Sequence, residues 1–314
     1  MDIFAIILWP FKWVIEAILV TFHSVLTTLG LPEGSGVTWV ASIVGLVLVV
    51  RAALIPLFVK QIKSQRSMYI LQPDLQKLQK KYKGKTDRDS REAFAKEQMA
   101  LYKKTGSNPL SSCLPLLAQM PIFISLFFTL NDAQHNKRGV GLLSQDLATS
   151  FANSEIFGAP LSATFFIPGE NADNPLVVQI IAGIMIVLMT ASQFITQKQI
   201  ISKNQTPANL QNSQYMQTQK LMLWLFPFMF AISGVSFPLG VMTYWLVSNF
   251  WTMGQQFVVI KNMPTPGSLA YDQRQSRLEA KGKLPKPEIV EVTEIEPETK
   301  GQRQQPVSKK RKKK

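Results

Sequence analysis

The chain has 314 residues, 46% of them hydrophobic, and a formal net charge of +14. A soluble domain of this length does not carry several apolar runs of roughly twenty residues, so the composition points to a polytopic membrane protein. The single cysteine, Cys113, excludes a disulfide framework and a cysteine-based metal site. His23 and His135 stand too far apart in the chain to be expected at one metal.

The opening stretch, MDIFAIILWPFKWVIEA, has no basic n-region and no small-residue cleavage site, so it is read as retained. From Ile3 to Leu29 the chain is apolar, but Pro10, Lys12, Glu16 and His23 interrupt it. Phe11, Ile15, Ile18, Leu19 and Phe22 recur at helical spacing, with the polar residues expected on other faces. An amphipathic helix lying in the membrane interface fits this better than a span. LGLPEGSG then turns the chain, which closes a first region over residues 1–36.

Trp39 to Lys60 is the first expected span. At ~1.5 Å per residue it covers about 33 Å, against a hydrocarbon core of ~30 Å. Arg51 sits inside it. A charge at that depth costs ~2.5–3.5 kcal/mol on insertion scales, and arginine does not shed its proton. About 13 Å of helix separates it from the Lys60 end, further than the side chain comfortably snorkels. A water-filled cavity or groove is therefore favoured over snorkelling or an internal ion pair. Pro56, one turn on, frees a carbonyl near position 52 and fits a locally wet helix.

Residues 61–108 turn polar and basic. Leu71, Leu75, Leu78 and Tyr82 share a helical face, Pro73 suits a first turn, and Gly84 suits a stop. TDRDS supplies caps for a second helix from about Ser90 to Lys104, ended by Gly106. This is a helical hairpin. Further spans are expected at about 111–130, 175–196, 221–236 and 241–260, giving five in a core of residues 37–260. Pro115 and Pro121 kink or delay the second span. Lys and Arg crowd into 60–108, 198–220 and the stretch after 260, and are scarce in 131–174. By the positive-inside rule the hairpin and C-terminus are cytoplasmic and the N-terminus is outside. Residues 261–314 have the composition of a disordered basic tail, with the acidic run EIVEVTEIEPE before KKRKKK. That block suits either anionic lipid or ribosomal RNA.

The chemistry of an enzyme is missing. There is no Walker loop, no HExxH and no GxSxG, and the expected spans carry no Asp, Glu or His. A proton-coupled pump generally needs a titratable relay. The spans do carry Gln119, Ser192, Gln193, Thr243, Ser248, Asn249, Gln255 and Gln256. These serve either helix–helix hydrogen bonding or a polar lining around Arg51. Met185, Met189, Met222, Met229, Trp224, Phe226, Phe230 and Trp245 supply adaptable apolar surface, mostly as ordinary core or lipid-facing residues.

Five stretches carry a resemblance: RAALIPLFVKQ, LQPDLQKLQKKYKGK, LYKKTGSNPLSSCLPLLAQMPIF, GLLSQDLA and QKLMLWLFPFMFAISGVSFPLGVMTYWLVSNFWTMGQQ. In this order they make the chain similar to the YidC family of membrane-protein insertases, in the short form without the large extracytoplasmic domain. The resemblance implies an all-α membrane protein whose five helices surround a hydrophilic groove. That groove opens to the cytoplasm and sideways to lipid. Arg51 would face it, with Gln193, Tyr244, Trp245 and Asn249 along the lining, and the hairpin would receive clients at its mouth. No cofactor or metal is implied. The expected partners are nascent membrane proteins, the Sec translocon, the ribosome through the basic tail, and anionic lipid. The expected location is the bacterial plasma membrane. The alternative is a channel or transporter that uses Arg51 as an intramembrane anion site.

Overall fold

The computed structural model describes residues 3–104, 114–167, 174–204 and 213–283. Gly106, Cys113, the middle of the 198–220 loop and the tail runs EIVEVTEIEPE and KKRKKK lie outside them. A compact unit covers Met1–Arg274, and a second begins at Gln275.

The described structure is mostly helical. Its helices are α1 (Ile3–Thr28), α2 (Gly36–Ala53), α3 (Ile55–Tyr82), α4 (Arg88–Lys104), α5 (Leu114–Gln134), α6 (Gln145–Ala152), α7 (Pro175–Asn204), α8 (Ser213–Gly234), α9 (Leu239–Asn262) and α10 (Leu269–Glu279). Among the described residues three helices are long and apolar enough to cross a membrane: Ile6–Thr28, Gly36–Ala53 and Pro175–Asn204. α5, α8 and α9 hold the other expected spans. α1 packs on α2 and α5, α9 packs on α2, α5 and α7, and α7 also packs on α8.

Local sequence explains the boundaries. Ser35 caps α2 by accepting the Val37 N–H at 3.3 Å. The expected continuous 39–60 helix is instead two helices that meet at Leu54, whose N–H closes on Val50 O at 3.1 Å. Pro56 therefore stands in the first turn of α3, where its missing N–H costs nothing. It starts a helix rather than kinking one. Pro73 is likewise displaced from the expected role and lies inside α3. The hairpin face is as expected: Leu71 and Leu78 are buried, and Gly84 ends the helix at φ +84. Asp87 accepts the Ser90 N–H at 2.8 Å to start α4.

The 135–167 segment is more ordered than its polarity suggested. After α5, Asn136 takes φ +55. Ser144 caps α6 through the Leu147 N–H. A two-residue hairpin pairs Glu155 with Pro160 and Ile156 with Ala159 around Phe157 (φ +53) and Gly158 (φ +78), the signs of a type I′ turn. This layer is tied to α9, since Leu239 N–H donates to Ala163 O and Gly240 N–H to Leu161 O, both at 2.9 Å. The bundle thus has a loop end, under residues 135–167, and a hairpin end, where α2 runs into α3. A helix also stands inside the segment expected to be disordered: α10, which Ser268 starts by accepting the Tyr271 N–H.

α1 keeps Ile15 and Leu19 of the expected apolar face inward but turns polar residues inward beside them. Glu16 and His23 are buried, alongside Leu8, Ile15 and Leu19, while Ile6, Ile7, Trp9, Trp13 and Val14 are exposed. The physical reason is hydrogen bonding. Glu16 accepts the Val140 and Gly141 N–H groups and His23 Nε2 lies 3.0 Å from Glu33 O, so each buried polar group has a partner.

Candidate functional site

The two ends of the bundle are filled differently. Buried residues of α2 run from Gly36 to Val47, and those of α9 run from Leu239 to Tyr244 with Ser248 beyond. Both sets lie in the loop-end portions of their helices. Leu126, Leu130 and Ala133 of α5 complete one core with Trp39, Ile43, Leu46 and Val241. Val178, Ala182 and Met189 of α7 form a second with Leu239 and Met242.

Past this packing come polar groups without protein partners. Arg51 lies in the last turn of α2, where a cation complements the helix dipole. It is half-buried, and its Nε is buried with no hydrogen-bond partner. Tyr244 of α9, buried to 3% exposure, lies within electrostatic reach of Arg51. The Tyr244 hydroxyl accepts Gln119 Nε2 of α5 at 3.5 Å. Gln119 Oε1 and Ser248 Oγ, one turn beyond Tyr244, are also buried without partners, as are Gln61 Oε1 and Gln199 Oε1. An unpaired buried polar atom costs about 1–3 kcal/mol. At the group formed by Arg51, Gln119, Tyr244 and Ser248, water or a polar guest would relieve that cost.

The expected site residues divide. Arg51 and Tyr244 come together, and Gln119 and Ser248 join them. Trp245 instead enters an aromatic cluster, stacked on Phe123 at 5.4 Å and edge-on to Phe237 (4.6 Å) and Phe230 (5.6 Å). Asn249 donates to Met189 O at 3.4 Å, the carbonyl that Ser192 also uses, and so braces α9 on α7. Gln193 is half-buried on α7 beside Ser192. Sequence reasoning had Gln119 and Ser248 among the polar residues of the spans, either for helix–helix hydrogen bonding or as lining around Arg51. The signal for Ser248 was its spacing of four from Tyr244.

Two comparisons bear on this arrangement. The family described as 60Kd inner membrane protein matches residues 31–266. The chain belongs to that family. It is 44% identical to a protein of Tropheryma whipplei over 97% of this chain and 95% of the relative. It is 45% identical to one of Streptomyces avermitilis, over 88% of this chain and 63% of that longer relative. A Bifidobacterium longum protein is 38% identical over 98% and 95%. All three are described as membrane protein insertase YidC. The match to the family includes α2 through α9, and so every residue of the Arg51 cluster.

Proposed function

We propose that this bacterial membrane protein is an insertase. The hydrophilic segment of a client enters the bundle from the hairpin end and meets Arg51, Gln119, Tyr244 and Ser248. Its path through hydrocarbon is thereby shortened. The client's apolar helix then leaves sideways into lipid, driven by burial of its own surface. This is binding work without bond chemistry. The observation that carries the reading is the contrast within α2 and α9: close packing at the loop end, and buried, unpartnered polar atoms of Arg51 and Ser248 beyond it. α5 does not share this contrast, since Thr129 Oγ1 and Gln134 Oε1 near its loop end are also buried without partners. The channel alternative gains no support. The relatives are insertases by name, and the packed loop end opposes a through-path.

The membrane arrangement belongs to the same proposal. α2, α5, α7, α8 and α9 span, the hairpin and C-terminus are cytoplasmic, and the loop end faces outside. α1 lies across the outer rim. It has two attachments. Ser125 Oγ donates to Leu8 O at 3.5 Å, and a Cβ at Gly45 would overlap the Phe22 ring. Ser125 and Gly45 each lie about 13 Å inside the loop-end terminus of their helix. These contacts fasten α1 to α5 and α2, and its interfacial placement rests on Pro10, Lys12, Glu16 and His23, which interrupt its apolar run. The Sec translocon, ribosome and anionic lipid are proposed partners at the cytoplasmic side.

Reconstitution tests the reading. The purified protein alone in liposomes should insert a short client with a hydrophilic tail, and empty liposomes should not. Equal insertion in both sinks it. Single-cysteine labelling after Cys113→Ser should find position 90 reactive only from the cytoplasm and position 150 only from outside. Position 150 reactive from the cytoplasm would overturn the arrangement.

A further inference from the structure

α1 carries an acid that the Arg51 cluster does not use. Glu16 is buried to 0% exposure. Its carboxylate oxygens accept the backbone N–H groups of Val140 at 2.9 Å and Gly141 at 2.6 Å. One helical turn earlier, Lys12 Nζ lies 2.7 Å from Asp132, near the end of α5. A further turn back, Leu8 O accepts the Ser125 hydroxyl. Leu8, Lys12 and Glu16 therefore attach α1, along one face, to α5 and the loop that follows it.

That loop is shaped around the acid. A Cβ at Gly139 would overlap the Glu16 carboxylate, and one at Gly141 would overlap the Trp13 ring. Gly139 N–H donates to Leu143 O at 3.0 Å, which closes the loop on itself. Leu143 is fully buried in the loop-end core with Phe151. Apolar contacts hold such a plug without fixing its register. Two directed hydrogen bonds to a buried carboxylate do fix it, and burying that acid is costly unless they are made.

We propose that Glu16 is a positioning residue that clasps residues 139–143 over the loop end, so that this end stays sealed while a client occupies the other. The proposal rests on the insertase reading, in which only the hairpin end admits the client.

The test uses the full chain in liposomes, with Cys113→Ser and Thr129→Cys. Thr129 of α5 is 1% exposed, and its Oγ1 has no partner, so the thiol replaces a hydroxyl and breaks no bond. An impermeant maleimide is added from the loop side, and labelling rates are compared at matched folded amounts. Labelling of a buried thiol tracks local opening, and Glu16→Ala should raise it at least about tenfold. Gly139→Ala should act similarly from the loop's side. The two together should do no more than either alone, because they break one contact. Glu16→Gln keeps the shape and one acceptor and should fall between. Met189→Ala, in the α7–α9 core, loosens packing away from the clasp and should stay within about twofold of the parent.

An unchanged rate in Glu16→Ala overturns the clasp, as does an equal rise in Met189→Ala. Client insertion is followed in parallel. Failure of the parent to insert would overturn the insertase reading and leave the labelling comparison valid. Normal insertion with unchanged labelling in Glu16→Ala would remove the clasp alone.

Discussion

In α2, Trp39, Ile43, Leu46 and Val47 are fully buried at the loop end, whereas Arg51, one turn further on, is half-buried with a bare Nε. α9 repeats the contrast. Val241 and Met242 are fully buried near its start, and Ser248 Oγ is enclosed without a partner further along. One end of each helix is thus built for stability and the other keeps unmet polar capacity. Packing that satisfied the hairpin end would stabilise the protein and leave no polar guest anything to bind, which is the usual tension between stability and function.

The largest expected effect tests that contrast directly. Trp39 stacks on His23 at 3.9 Å, meets Phe151 edge-on at 5.2 Å and donates Nε1–H to Ser150 Oγ at 3.2 Å. Trp39→Ala should cost about 3–5 kcal/mol. Ser248→Ala removes a hydroxyl that has no partner and should change stability by no more than about 0.5 kcal/mol in either direction. Thermal unfolding in detergent measures both. Comparable losses from the two variants would erase the distinction between the ends.

The second expected effect is on client choice. If Arg51 attracts acidic segments, Arg51→Ala should lower insertion of clients with acidic tails by about tenfold, well within one screened charge interaction. Neutral tails should lose least. Arg51→Glu should be worse for acidic tails, and Arg51→Lys should keep much of the activity although it loses the planar fork. Folded amount has to be measured alongside. Equal loss for acidic, neutral and basic tails, or a lysine variant as inactive as alanine, would sink the electrostatic account.

How far the sequence reached follows the same division. Arg51 was legible because a charge in an apolar helix demands a partner whatever the fold. The hairpin was legible because Leu71, Leu75, Leu78 and Tyr82 keep helical spacing in a polar segment, where water fixes which face turns inward. α1 was not legible in that way. Ile15 and Leu19 are buried as their period suggests, but Glu16 and His23 turn inward beside them, because periodicity alone does not disclose the distant partners that meet them there. The Leu54 break was hidden because Pro56 suits both a kink and a first turn. Glu16 and the Gly139–Gly141 loop are joined across more than a hundred residues of chain. No local pattern marks that contact. The contacts of Trp245 with Phe123 and of Asn249 with Met189 O were likewise not legible, because residue type does not disclose packing partners.

The smallest effect is expected at the hairpin tip, where exposed polar bonds replace burial. Lys81 Nζ lies 2.7 and 2.8 Å from the Glu97 oxygens, and the Tyr82 hydroxyl donates to Glu97 at 2.8 Å. The hydrogen bond from Lys81, with that from Tyr82 second, holds the Glu97 carboxyl below its ordinary range. The bond to Glu97 likewise raises Lys81. A depressed carboxyl contributes stability above its unfolded value and loses it as pH falls through the folded one. A raised lysine contributes below its ordinary value and loses it as pH rises through the folded one. The α3–α4 contact should therefore be flat around neutral pH and loosen at both extremes, more weakly in high salt because the pair is exposed. Spin labels at positions 79 and 99 in the full-length protein report this as a broadened distance distribution. Glu97→Gln should remove the larger part of the acid-side change. It should leave only what the Asp87 cap at the start of α4 contributes, whose carboxyl is itself lowered by hydrogen bonds from Ser90. Tyr82→Phe should reduce the change less. If Glu97→Gln broadens as far as the parent at the same acidic pH, the loosening has another source and the tip does not depend on this pair.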